Sequence, residues 1–178
     1  MSLELPKAPR GNKRRIRNRY KLTKDLCIIY TSKNEEILID KCNINKLPYN
    51  RTWFLHPSGY PVCKVNQNRV FLHHIILGRL PNKVVDHING HKYDNRECNL
   101  RHCTHQENSY NSKTYKGKPL LGVSYCKKNG PNKWCARIQY NHTPILLGYF
   151  ATKEEAIAVR RKAEIEYYRE FARRQHNE

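Results

Sequence analysis

Acidic side chains are scarce in this sequence. Its 178 residues contain 15 Asp and Glu against 34 Lys and Arg, so the formal net charge is +19 at pH 7. A positive excess of this size indicates a polyanionic partner, because the summed field of the chain attracts phosphate groups.

Long apolar runs are also absent. No stretch approaches the roughly 18 apolar residues that a bilayer-spanning helix needs, and the N-terminus lacks the apolar region of a signal peptide. Nucleic acid is therefore favoured over a membrane as the partner.

Hydrophobic residues make up only 38% of the chain and Tyr occurs twelve times. We therefore expect small, partly aromatic cores and a chain that orders fully only on its ligand.

Cysteines at metal-binding spacing are missing as well. None of the seven cysteines forms a C-x-x-C pair, and Cys98, His102 and Cys103 form one loose group where zinc sites normally have two pairs. We expect buried free thiols rather than structural zinc. The odd count without a secretory signal predicts reduced thiols in a cytoplasm.

A polar stretch rich in Asp, His and Asn lies in the middle of the chain. Residues 84–111 read VVDHINGHKYDNRECNLRHCTHQENSYN. The Asn-Gly and Asp-Asn dipeptides predict turns, and Thr104 with Glu107 forms a capping box that predicts a short helix from about His105. The predicted order is strand, loop, strand and helix.

Three side chains of this stretch have complementary chemistry. Asp86 and Asn108 offer hard oxygen ligands for a Mg²⁺-type ion that keeps water and phosphate oxygens as its other ligands. His87 has a near-neutral pKa and can accept a proton from an attacking water. If the helix packs back on the hairpin, the three groups can share one small site for phosphodiester hydrolysis.

The stretch resembles the H-N-H nuclease motif of the ββα-metal superfamily, in the form carried by phage and intron-encoded homing endonucleases. The resemblance implies a catalytic group with His87 as general base and Asn99 as the central Asn that ties the loop in place. It also implies Asp86 and Asn108 as metal ligands, with Asn108 standing where the family name has its last His. Mg²⁺ is the implied cofactor, with Mn²⁺ or another divalent ion tolerated, and double-stranded DNA in a bacterial or phage-infected cell is the implied substrate.

The segments before this motif are a basic arm and two hairpins. Residues 1–24 predict an arm that orders on phosphates, with a solvated tail as the alternative. Runs at 26–30 and 37–39, and at 52–55 and 60–65, predict two β-hairpins within a nuclease domain at 25–112. We interpret His73 and His74 as structural. The arginines expected to bind DNA are Arg14, Arg15, Arg17 and Arg19 in the arm, and Arg101 in the motif.

The C-terminal part predicts a second domain at 120–178, after a polar linker at 113–119. Three short strands are followed by a helix that begins at a second capping box, Thr152 with Glu155, and carries an apolar stripe of Ala156, Val159, Ala163, Tyr167 and Phe171. Cys135, Arg137 and Gln139 share the predicted exposed side of the middle strand.

This arrangement resembles the Apetala-type DNA-binding domain, known from plant ethylene-response factors and from homing endonucleases. In that family the sheet lies in the major groove of DNA. Alternatively the unit is a small packing domain without a role on DNA. The residues that the resemblance turns towards DNA are Ser124, Cys126, Lys127, Arg137, Gln139, Pro144 and Leu146.

The sequence as a whole predicts an α+β protein. A central ββα-metal nuclease module has β-hairpins on its N-terminal side and a three-stranded sheet packed on one helix on its C-terminal side. The favoured function is a metal-dependent DNA endonuclease of homing or phage-borne type. A restriction-type endonuclease that acts as a dimer, a non-catalytic DNA-binding protein and an RNA-binding protein stay open as alternatives.

Overall fold

A computed structural model describes residues 18–111, 122–126, 130 and 133–172 of the chain. The chain divides into two compact units, formed by the described parts of Met1–His87 with His91–His102, and of Ile88–Gly90 with Cys103–Glu178. Several small sheets and few helices confirm the predicted α+β class. No helix within the described ranges is long and apolar enough to cross a membrane.

The first unit begins with a three-stranded antiparallel sheet. Strands β1 (Arg19–Leu22), β2 (Leu26–Tyr30) and β3 (Glu36–Asp40) are neighbours in chain order. The predicted hairpin at 26–30 and 37–39 is therefore confirmed. Alternate residues of a strand point to the same side of a sheet. Cys27, Ile29, Ile37 and Ile39 therefore share one face, and all four are fully buried.

A second sheet, a short helix and a strand pair complete this unit. Strands β4 (Phe54–Leu55), β5 (Pro61–Val65) and β6 (Asn68–Phe71) form the sheet, which confirms the second predicted hairpin and adds a strand to it. Helix α1 (Leu72–Leu77) leads to β7 (Val84–His87), which pairs with β8 (Leu100–Cys103). These elements and Trp53, which precedes β4, add side chains to the core of the first sheet. The buried residues that they contribute are Trp53, Cys63, Leu72, Ile76, Val85 and Leu100.

The basic segment at the start of the chain is in part folded, which differs from the expectation that it orders only on phosphates. Strand β1 contains Arg19 and Lys21, and the carboxamide of Asn18 fastens the strand start. Its Nδ2 donates to the carbonyl oxygens of Tyr30 and Trp53 at 2.9 Å each, and its Oδ1 accepts from the backbone N–H of Trp53 at 2.6 Å. These bonds order this end of the segment without a phosphate ligand. Arg14, Arg15 and Arg17 lie outside the described residues.

In the second unit, helix α2 (His105–Tyr110) begins at the predicted capping box of Thr104 and Glu107. Tyr110 stacks on Tyr168 with ring centroids 3.9 Å apart and planes 7° from parallel. Gln106 Nε2 donates to Asn141 Oδ1 at 3.1 Å. The helix of the predicted strand–strand–helix order therefore packs on C-terminal elements. The predicted domain limits stay a prediction, and the linker at 113–119 lies outside the described residues.

The C-terminal sheet has three antiparallel strands covered by one helix, as expected. Strands β9 (Val123–Tyr125), β10 (Trp134–Tyr140) and β11 (Thr143–Phe150) lie in the order β11-β10-β9. Helix α3 (Lys153–Tyr168) begins at the predicted capping box of Thr152 and buries Ala156 and Ala163 against this sheet.

Three side chains of this unit are more buried than the sequence indicates. Arg160 is only 2% exposed and pairs with Glu164 at 2.8 Å, while its Nη2 lies 3.5 Å from the hydroxyl of Tyr168. Tyr168 donates in turn to the carbonyl of Gln139 at 2.9 Å, which makes a polar contact inside the helix–sheet interface. Cys135, predicted on the exposed side, is fully buried.

We predict that Gly122→Ala destabilises the second unit by roughly 2–5 kcal/mol. Gly122 has φ +88°, and a Cβ there would overlap the backbone carbonyl of Arg137. The left-handed backbone costs an L-residue about 1–2 kcal/mol, and overpacking adds about 1–3 kcal/mol. Gly130→Ala is the matched control, because Gly130 has φ +52° but nothing within 4 Å of its Cβ position. Urea unfolding measures both variants, and equal losses would contradict the close approach.

Candidate active site

Asp86 and His87 occupy the end of β7, where they are the last two residues of the strand. Both are buried, with 6% and 3% of their surface exposed. Neighbouring residues of a strand point to opposite sides. Accordingly, the two side chains have different partners: Asp86 contacts Arg101 on β8, and His87 contacts Asn95 in the loop.

The loop between β7 and β8 is closed by hydrogen bonds within residues 94–99. Asn99 is 5% exposed, and its Nδ2 donates to the backbone carbonyl of Asp94 at 2.8 Å. Arg96 holds the Asp94 carboxylate with two bonds, Nε to Oδ1 at 2.8 Å and Nη2 to Oδ2 at 2.7 Å. The Asn99 contact joins the two ends of residues 94–99, and the loop-tying role of Asn99 stays a prediction.

The imidazole of His87 lies in an aromatic and polar pocket of the first unit. Asn95 Oδ1 is 3.3 Å from its Nε2. The ring centroids of Tyr60 and His73 are 5.7 Å and 5.4 Å from that of His87. Burial lowers the pKa of His87 below its ordinary value of 6.5, and the hydrogen bond to Asn95 and the nearby carboxylates oppose that shift only in part. The ring is therefore neutral at pH 7, as a proton acceptor must be.

His73 is a second neutral imidazole beside His87. Burial, and after it the neighbouring His74, His87 and Arg79, lower the pKa of His73 to about 3. Its ring meets that of His74 with centroids 4.3 Å apart and is 5.1 Å from that of Tyr60. The uncharged ring of His73 makes an edge-to-face contact with the ring of His87. This agrees with its interpretation as a structural residue.

Asp86 forms an ion pair with Arg101, a residue that the sequence analysis expected to bind DNA. Both Nε and Nη2 of Arg101 donate to Oδ2 of Asp86, at 2.9 Å and 2.7 Å. The side chain of Arg101 is only 16% exposed and that of Asp86 only 7%. The structure therefore turns the guanidinium of Arg101 towards a carboxylate of its own unit. Sequence patterns missed this pair because Arg101 and Asp86 lie on different strands.

The other predicted site residues are distributed over both units. Asn108 lies in α2 of the second unit, where its backbone N–H donates to the carbonyl of Thr104 at 3.0 Å. Arg19 is exposed on β1, and its guanidinium lies 4.9 Å from the ring centroid of Tyr30. Residues Ser124, Arg137, Gln139, Pro144 and Leu146 are exposed on the C-terminal sheet, Cys126 is half-buried beside it, and Lys127 lies outside the described residues.

Of the two predicted metal ligands, Asp86 lies in the first unit and offers a hard cation one carboxylate. Asp86 provides a carboxylate next to His87, and no group of three or more His, Cys, Asp or Glu that could hold a metal occurs among the described residues. Mg²⁺ commonly binds through one or two carboxylates and completes its shell with water and phosphate oxygens. An ion at Asp86 would have to share the carboxylate with Arg101 or replace that contact.

Two comparisons with known proteins agree with the motif. Residues 70–110 match the family model described as HNH endonuclease. An uncharacterized HNH endonuclease of Acanthamoeba polyphaga mimivirus is 34% identical over 125 residues, which are 67% of this chain and 64% of that relative. The chain thus spans less than two thirds of the relative's length. No solved structure matches the chain. The matches confirm the predicted HNH endonuclease domain and support a nuclease, while the C-terminal sheet lies outside the family match.

We predict that Arg101→Leu lowers the free energy of unfolding by about 3–5 kcal/mol, because removing one partner of a buried ion pair leaves the other charge poorly compensated. The matched control is Lys46→Ala, which breaks the pair of Lys46 and Glu97 whose side chains are 46% and 51% exposed. An exposed pair contributes only about 0–1 kcal/mol. Denaturant unfolding of both variants is the measurement, and similar small losses would show that the Asp86–Arg101 contact is weak.

Proposed function

We propose that this chain, which carries an HNH endonuclease domain over residues 70–110, is a divalent-metal-dependent DNA endonuclease of homing or phage-borne type. His87 is its general base, and Asp86 and Asn108 are the residues that would hold the ion. The single observation that carries the proposal is the buried, neutral imidazole of His87 next to the carboxylate of Asp86 at the end of β7.

The hydrolytic step needs a group that takes a proton from the attacking water. His87 suits this role because burial keeps its ring neutral at pH 7. Tyr60 and His73 pack around the ring, and Asn95 and Asn99 hold the loop beside it. An imidazole held in one orientation accepts the proton without first having to be ordered.

The ion would be bound by a carboxylate and a carboxamide oxygen. Such a set leaves most of its coordination sphere to water and phosphate and selects weakly among divalent ions, so Mg²⁺ and Mn²⁺ are both suitable. When bound, the ion supplies the positive charge that stabilises the phosphate and the leaving oxygen in the transition state. Structural zinc is no part of the proposal.

The C-terminal sheet is proposed to be an Apetala-type DNA-binding module. Its topology, three antiparallel strands covered by one helix, supports that assignment. Arg137 and Gln139 are exposed on β10 and have the donors and acceptors that recognise guanine and adenine in the major groove. With a net charge of +19, we expect phosphate contacts to dominate the affinity. Neutralising about 6–10 phosphates would weaken binding about 10³–10⁵-fold between 50 and 200 mM salt.

A DNA-binding protein without cleavage is the second candidate. The contact of Arg101 with Asp86 favours it, because the guanidinium already neutralises the carboxylate that would attract the ion. Both candidates use the same basic surfaces, so only a cleavage assay on supercoiled plasmid DNA with Mg²⁺ separates them.

We predict that His87→Ala abolishes plasmid cleavage and leaves DNA affinity nearly unchanged, because a general base contributes about 10²–10⁴-fold to the rate and nothing to phosphate binding. Cleavage is followed as loss of supercoiled plasmid in Mg²⁺, and affinity by fluorescence anisotropy of a labelled duplex. His105→Ala is the matched control, since His105 is exposed at the start of α2. Cleavage by His87→Ala at the wild-type rate would overturn the assignment, and binding without cleavage by the wild type would leave the second candidate.

We predict that Arg137→Ala weakens duplex binding by about 1–3 kcal/mol if Arg137 contacts a base, with a larger effect on the preferred sequence than on random DNA. Lys162→Ala is the control, because Lys162 has the same charge but lies on the exposed side of α3. Anisotropy titrations at fixed salt measure both. Equal and sequence-independent losses would mean that Arg137 contacts only phosphate.

A further inference from the structure

We propose that Asn95 is a positioning residue for His87, and that the N-terminal sheet holds Asn95 in the place where it sets the tautomer and orientation of the imidazole. This inference rests on the proposed role of His87 as general base. Sequence patterns assigned Asn95 only to a turn dipeptide, and the N-terminal hairpin only to a β-structure ahead of the nuclease motif.

The side chain of Asn95 is fully buried and has a fixed orientation. Its Nδ2 donates to the backbone carbonyl of Lys92 at 3.2 Å. Because a carbonyl only accepts hydrogen bonds, this contact decides which end of the carboxamide faces His87. The end that remains is Oδ1, 3.3 Å from Nε2 of His87. An amide oxygen also only accepts, so the geometry places the hydrogen of the neutral ring on Nε2.

The backbone of Asn95 is fastened to strand β3. Its N–H donates to the carbonyl of Leu38 at 2.8 Å, and the N–H of Leu38 donates to the carbonyl of Tyr93 at 2.9 Å. These two bonds form a parallel bridge between Leu38 and Asp94, so the loop adds a short segment to the edge of the N-terminal sheet.

A second contact with the same strand lies two residues further along the loop. The Oδ2 of Asp40, the last residue of β3, accepts from the backbone N–H of Glu97 at 2.7 Å. Strand β3 therefore holds the loop on both sides of Asn95. Rigid secondary structure that supports a side chain in this way reduces the positional freedom of the group it contacts. The N-terminal sheet consequently helps to position the catalytic base, because it holds the loop that carries Asn95.

The test uses the full chain with two removal variants, one control variant and three readouts. Asn95→Ala removes the acceptor, and Asp40→Ala loosens the loop from a partly exposed position. Thr31→Ala is the matched control, because Thr31 is also buried in the first unit, at 6% exposure, and its hydroxyl contacts Lys33 and Glu35 in the turn after β2. Long-range proton–nitrogen correlation spectra of ¹⁵N-labelled protein at one fixed neutral pH report the His87 tautomer. Plasmid cleavage with Mg²⁺ gives kcat, and anisotropy gives DNA affinity.

We expect the wild type and Thr31→Ala to show His87 with its hydrogen on Nε2. Asn95→Ala should show exchange between tautomers, with kcat lowered about 10–100-fold, which is part of the roughly 10²–10⁴-fold that a positioned base contributes, and with DNA affinity unchanged. Asp40→Ala should show the same changes to a smaller extent, and it decides the question if Asn95→Ala fails to fold.

Two results would overturn the inference. One is a wild-type spectrum with the hydrogen of His87 on Nδ1. The other is an Asn95→Ala variant whose His87 spectrum and kcat equal those of the wild type. If Asn95→Ala does not fold, the same result for Asp40→Ala would overturn the inference. A wild-type chain that cuts no DNA would instead overturn the proposed function, and the tautomer spectra, recorded without DNA or metal, would still decide whether Asn95 holds the ring.

Discussion

The buried hydrogen bond between Asn95 and His87 links the parts of the first unit on which the proposed chemistry depends. Strand β3 holds the backbone of Asn95 through Leu38, Asn99 closes the loop around it, and the imidazole of His87 is held at the other end of the carboxamide. A small unit with a modest apolar core cannot rely on packing alone to orient a side chain at a strand end. Buried polar groups that satisfy one another provide that order, because each would be costly to leave without a partner.

Acidic side chains are scarce in the whole chain, but two of them lie close to His87. The chain carries +19, yet both acidic residues near His87 are paired with arginine, Asp86 with Arg101 and Asp94 with Arg96. Burial is nevertheless the largest influence on the pKa of His87 and lowers it, while Asp86 and Asp94 oppose that shift. The cationic excess is then left to other surfaces, where it can attract phosphate over a longer range.

Local patterns predicted much of this structure, and contacts distant in sequence account for what they missed. Both capping boxes, at Thr104 and at Thr152, are formed because their partners lie three residues apart. In contrast, the Leu38–Asp94 bridge, the Arg101–Asp86 pair and the Tyr110–Tyr168 stack join residues from separate elements, and a pattern of polarity carries no information about such partners. Burial of Arg160 was missed for the same reason, since an arginine on a helix is normally exposed.

The central claim is that Asp86 and His87 form a metal-dependent hydrolytic site, and the position of a bound ion tests it most directly. Mn²⁺ soaked into crystals of the chain can be located by its anomalous scattering. The account predicts a single strong peak in contact with the carboxylate of Asp86 and the side-chain oxygen of Asn108. His87 should lie one water away, with Arg101 withdrawn from Asp86. Crystals with no peak at Asp86, in which Arg101 still holds the carboxylate with both nitrogens, would contradict it.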